Sequence, residues 1–184
     1  MERRDLVRAL GAAAAFTLMP RTARAAWARV AAAPDAPLRA WRADQSALVA
    51  AVADAIIPRT DTPGATDVGV PAFIDVIVAE YYGDDERAEF LAGLDAIDSR
   101  AKATGAASFA EMTPEARAAL MDSLDVPPDR RAPEARGWAR LKELTVHGYF
   151  TSERVQKDVL KTVIMPGRFD GNAPMKRATG GPHG

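Results

Sequence analysis

Cysteine is absent from this 184-residue chain. That excludes disulfides, thiol catalysis, iron–sulfur centres and cysteine-attached haem. Histidine is scarce, with only His147 and His183, so a histidine-based metal site would be short of ligands. No apolar run reaches the roughly 20 residues needed to span a bilayer. No stretch alternates apolar and polar residues with period two, so strands are not expected. Charge of one sign is missing too: 24 basic residues face 25 acidic ones, with no basic block to attract nucleic acid. The chain also lacks G-x-G-x-x-G, a phosphate loop, G-x-S-x-G and H-E-x-x-H.

The N-terminus is where the sequence is most distinctive. Arg3 and Arg4 stand in Glu2-Arg3-Arg4-Asp5-Leu6-Val7-Arg8, followed by the soft apolar stretch Ala9 to Met19. The small-residue triplet Ala23-Arg24-Ala25 comes next. A charged start, a short apolar middle and an A-x-A-like end make an export signal, and the paired arginines point to the Tat route, which carries folded proteins. Residues 1–25 are therefore expected to be a Tat signal. The first 25 residues hold five basic and two acidic side chains, leaving a mature part with 19 basic, 23 acidic and a net charge of −4. Its 159 residues suit one domain with a real core.

Residues 26–45 read as a linker, punctuated by Pro34 and Pro37, in which Trp27 and Trp41 would pack on the domain or on a partner. Beyond it the helical period takes over. Ser46 can cap a helix to about Ile57, with Leu48, Val52, Ala55 and Ile56 on one face. Pro58 stops it, and Arg59 to Ala65 is turn chemistry. Pro71 suits the first turn of a helix running to about Tyr82. Asp84 or Asp85 can cap the next, whose stripe is Phe90, Leu94, Ile97 and Ala101. Thr113-Pro114 opens a short helix, Pro133 a long one, and Ser152 can cap a last one with Val155 and Val159. The expectation is an all-α domain of about six helices over 46–163, then an extended arm over 164–184.

Candidate chemistry is sparse. Asp84, Asp85 and Glu86 fall at a helix start, where acids suit the positive end of the dipole. Asp95 and Asp98 share one face near Arg100 and Lys102 and read as a solvated surface. Arg59 with Asp61 either locks its turn or faces a partner. Tyr149 and Phe150 suit a core or an interface. Arg168 and Phe169 lie in an arm with no core of its own, and arginine with an aromatic is an interface pairing. No catalytic, cofactor-binding or metal residue is assigned.

Three blocks in order resemble the gluconate 2-dehydrogenase subunit 3 family. The first runs from Leu48 through Pro58-Arg59-Thr60-Asp61-Thr62-Pro63-Gly64-Ala65 to Gly69-Val70-Pro71-Ala72-Phe73-Ile74-Asp75. The second joins Leu141-Lys142-Glu143-Leu144-Thr145 to Gly148-Tyr149-Phe150-Thr151-Ser152, and the third is Pro166-Gly167-Arg168-Phe169-Asp170-Gly171. Thr104 to Ala132 offers no block to match. The resemblance implies a small, non-catalytic subunit of a periplasmic dehydrogenase acting on a sugar, glycoside or aldonate. FAD would sit in a large glucose–methanol–choline-type subunit, and a cytochrome c subunit often takes the electrons. The small subunit would assist folding of the large one and carry it through the Tat translocase; membrane association through the complex is compatible with this. On that reading Arg59, Asp61, Tyr149, Phe150, Arg168 and Phe169 are the expected partner contacts. The alternatives are a stand-alone periplasmic enzyme with a carboxylate-based site and a scaffold module for an unrelated partner.

Overall fold

A computed structural model describes residues 21–34 and 36–161. Six α-helices occur among the described residues, with no strand: α1 (Arg21–Ala32), α2 (Ala43–Ile56), α3 (Val70–Glu80), α4 (Asp84–Ala103), α5 (Pro114–Asp125) and α6 (Pro133–Thr151). Short 3₁₀ turns cover Thr66–Val68 and Phe109–Glu111, and a π-turn covers Val155–Val159. The all-α expectation holds.

Helix α6 is the hub, and its contact with α4 is the most extensive in the fold. It also packs against α1, α2, α3 and α5. Trp138, Leu141, Leu144 and Tyr149 supply its buried face. Helices α4 and α6 meet where neither has a side chain. A Cβ on Gly137 would stand 2.6 Å from the Gly93 Cα, and a Cβ on Gly93 would stand 2.6 Å from the Gly137 Cα. Around this point Phe90, Leu94 and Ile97 of α4 are buried, as their spacing predicts.

Helix α3 is apolar nearly all round, with Val70, Phe73, Ile74, Val76, Ile77 and Val78 buried. A helix of that kind must be covered on several sides. Its one buried acid, Asp75, is satisfied: Oδ1 accepts the backbone N–H groups of Arg39 and Ala40, both at 2.7 Å. Against α6, the Phe73 ring lies where a Cβ on Gly148 would be only 2.7 Å away.

The proline signals act as expected, but neither Asp84 nor Asp85 caps α4: the N-cap is Gly83, with no side-chain cap bond, and the acids sit one position or more inside the helix. Pro71, Pro114 and Pro133 lie in first turns, where their missing N–H groups cost nothing. The Thr113 side chain accepts the Ala116 N–H at 3.3 Å. Asp84, Asp85 and Glu86 occupy the first turn of α4.

Four further details differ from expectation. Residues 26–45, read as a linker, carry most of α1, and Arg21–Ala25, read as the end of a signal, form its start. Ala23 and Ala26 are buried and Trp27 and Val30 half-buried, an i, i+3, i+4, i+7 stripe. Trp27 stacks on Phe73 with ring centroids 5.0 Å apart, and its Nε1–H donates to Thr151 Oγ1 at 2.8 Å. Trp41 also packs on the domain, 6.4 Å from Phe90. Second, α2 starts at Ala43, a turn before Ser46, because Gln45 Oε1 reaches back to accept the Arg42 N–H at 3.1 Å. Third, the Asp95–Asp98 face is solvated as expected, with Asp95 exposed and Asp98 paired to Lys102 at 2.6 Å, but both acids also act as tethers. Asp95 Oδ1 accepts from Arg42 at 2.9 Å and Gln45 at 2.8 Å, and Asp98 Oδ1 accepts the Phe109 N–H at 3.3 Å. Finally, Ser152 does accept the Val155 N–H, at 3.3 Å, but Val155–Val159 winds as a π-turn rather than an α-helix.

Candidate partner-docking site

The chain between α2 and α3 folds into a knot held from three directions. Ala65 N–H closes it on Ile57 O at 3.0 Å. From α2, Asp54 Oδ1 accepts the Thr66 N–H at 3.0 Å and its hydroxyl at 2.8 Å. From α6, the Tyr149 hydroxyl donates to Pro63 O at 2.8 Å. Beyond α6, Arg154 donates to Asp67 O at 3.3 Å. Gly64 is required by close approach, since a Cβ there would lie 2.9 Å from the Arg59 N.

Asp67 organises the inside of the knot. Its Oδ2 accepts the Gly64 N–H at 2.8 Å, and its Oδ1 pairs with the Arg59 guanidinium. Asp67 is 14% exposed but Arg59 is 74% exposed, so most of the guanidinium faces water. An ion pair this exposed on one side adds little stability. Arg59 thus pairs with Asp67, not Asp61; the closing bonds of the knot bring Asp67 to it from eight positions on. Asp61 is exposed and accepts the Thr60 hydroxyl at 3.0 Å.

Of the six expected contacts, four come together. Arg59 and Asp61 form the outer face of the knot. Tyr149 lies beneath it, 4% exposed, so it supports the loop rather than offering surface. Phe150 is half-buried and meets Tyr149 edge-on with centroids 5.3 Å apart. Arg168 and Phe169 lie outside the described residues, as do Arg3, Arg4, His183 and the arm over 164–184. Sequence reasoning missed Asp54, Asp67 and Arg154. The turn over Arg59 to Ala65 was visible in the sequence, but the Asp54, Asp67 and Arg154 groups that hold it carried no signal there.

Elsewhere among the described residues, little is arranged for chemistry. Among the described residues, no three histidine, aspartate or glutamate side chains gather where they could hold a metal ion. A cleft of about 140 Å³ between α4 and α6 is lined by Tyr82, Glu86, Glu89, Arg136 and Arg140. It is well under the ~300 Å³ of a small ligand site. Its charges also answer one another: Arg136 pairs with Glu89 at 3.0 Å and Arg140 with Glu86 at 3.6 Å. Burial pushes the Tyr82 phenol up to about 12, so it stays protonated. A wider depression of about 480 Å³ beside α5 has Arg100 as its one charged side chain, which donates to Ser123 at 3.3 Å. His147 lies 6.1 Å from the Phe73 ring, and burial holds its imidazole below the ordinary range against the pull of Glu143.

The Pro58–Ala65 and Gly148–Ser152 blocks, far apart in sequence, are thus joined by one hydrogen bond. No curated protein and no solved structure significantly matches the chain. The family model for gluconate 2-dehydrogenase subunit 3 does, over residues 43–167, a span that includes both blocks and the unmatched stretch from Thr104 to Ala132. That family is named for one subunit of a dehydrogenase complex, and this chain belongs to it, the gluconate 2-dehydrogenase subunit 3 family.

Proposed function

We propose that this chain is the small, non-catalytic subunit of an exported, FAD-dependent dehydrogenase acting on a sugar, glycoside or aldonate. The large glucose–methanol–choline-type subunit would carry the FAD and the substrate site, and a cytochrome c subunit would take the electrons. The small subunit would help the large one to fold and take it through the Tat translocase to the periplasm. Family membership is the observation that carries this reading. Arg3-Arg4 and the apolar stretch behind them support the export role.

The outer face of the 57–69 knot is the proposed contact with the large subunit. It is rigid, being tied to α2, α6 and Arg154, and it presents Arg59 and Asp61 outward. A pre-ordered loop loses little entropy on docking. The test is to express the large subunit with and without this chain. Soluble, exported, FAD-loaded enzyme is expected only with it. Equal yields of exported holoenzyme in both cases would remove the accessory role.

A further inference from the structure

The triplet Ala23-Arg24-Ala25 has the composition of a cleavage site, yet the fold makes it part of the domain. A peptidase that reads small side chains at two alternate positions needs the chain extended, because only then do residues i and i+2 share a face. In α1 the helical turn sends them apart. Ala23 is 1% exposed and points into the domain, while Ala25 faces water. Ala26, on the far side of the scissile bond, is fully buried.

The helix is also firmly docked. Trp27 stacks on Phe73 and donates to Thr151, joining α1 to both α3 and α6. Arg29 pairs with Glu80 at the end of α3, at 3.5 Å. Extending residues 23–26 for cleavage means withdrawing Ala23 and Ala26 from the core and straining the Trp27 contacts one residue away.

We propose that the folded domain withholds the Ala23–Ala25 site from signal peptidase, so that a chain exported in its folded state keeps Arg21–Ala25 as the first turn of α1. The export setting rests on the function proposed above; the masking of the site does not. Cleavage after Ala25 then reports that α1 was undocked, either before folding or by mutation.

The test uses the purified full-length chain and purified signal peptidase in detergent micelles, with products read by intact mass. The wild type is expected to be cut after Ala25 at least tenfold more slowly than Trp27→Ala, which loses the stacking and the hydrogen bond. Trp27→Phe, which keeps the stacking, should stay close to wild type. Equal rates for wild type and Trp27→Ala, including no cutting of either, would overturn the proposal. Should Trp27→Ala fail to fold, hydrogen exchange on the wild-type chain decides: Trp27–Ala32 amides are expected to be protected to the level of α3, and exchange at the free rate would overturn it. Because neither readout uses export, a chain that stays in the cytoplasm would count against the proposed function alone.

Discussion

Replacing Gly137 by alanine sets two effects of opposite sign against each other. Inside an α-helix, alanine is favoured over glycine by about 1 kcal/mol. Against that, the new methyl would stand 2.6 Å from the Gly93 Cα and 2.8 Å from its carbonyl carbon. These are backbone atoms, so no side chain can swing aside. To restore the 3.4 Å of ordinary contact, α4 and α6 must part by about 0.8 Å. A gap of that size forfeits about a quarter to a half of the dispersion energy of each contact it opens. It would loosen Trp138 and Leu141 on one side and Phe90, Leu94 and Ile97 on the other, all buried. Overpacking of this kind costs about 1–3 kcal/mol, and a backbone obstacle argues for the upper end. The net expectation is a loss of about 2 kcal/mol. Urea unfolding followed by tryptophan fluorescence should show the midpoint falling by about 1 M, for an m-value of about 2 kcal/mol/M. A midpoint that rises, as helix propensity alone dictates, would refute the claim that the α4–α6 crossing depends on the absent side chain.

Other consequences are smaller. Tyr149→Phe removes the bond to Pro63 O and should cost about 1 kcal/mol; hydrogen exchange in the 57–69 knot should quicken while α4 is unchanged, and uniform exchange would count against the tether. His147 has a folded-state pKa below its ordinary value near 6.5, so the unfolded chain takes up the proton first. Stability should therefore be full above about pH 6.5 and fall as the pH drops from there towards the folded value. His147→Gln should flatten that part of the profile, measured by urea midpoints across the range; an unchanged slope would place the titration elsewhere.

Much of the fold was legible because its punctuation is local. Pro71, Pro114 and Pro133 mark helix starts through their own geometry, and the stripe from Phe90 to Ala101 shows α4 by spacing alone. Helix α1 was not legible, for a physical reason. Its inward face begins with Ala23 and Ala26, which bury well but barely differ from solvent-facing alanines in a hydropathy pattern. The same alanines also satisfy the pattern of a cleavage site. Only docking against Phe73 and Thr151 separates the two readings, and those partners lie far along the chain. Asp95 is a similar case, since its partners Arg42 and Gln45 are 50 or more positions away. At the knot, the turn residues and Tyr149 could be seen, but the choice of Asp67 over Asp61 for Arg59 depends on the closing bonds of the loop.

The central claim is that this chain works as a subunit. Its most direct test is recovery of the tagged full-length chain from the periplasm, read by mass spectrometry and visible absorbance. The account predicts a yellow complex with a large flavoprotein dehydrogenase in roughly stoichiometric amount. A colourless chain recovered alone, from cells that also make active dehydrogenase, would contradict it.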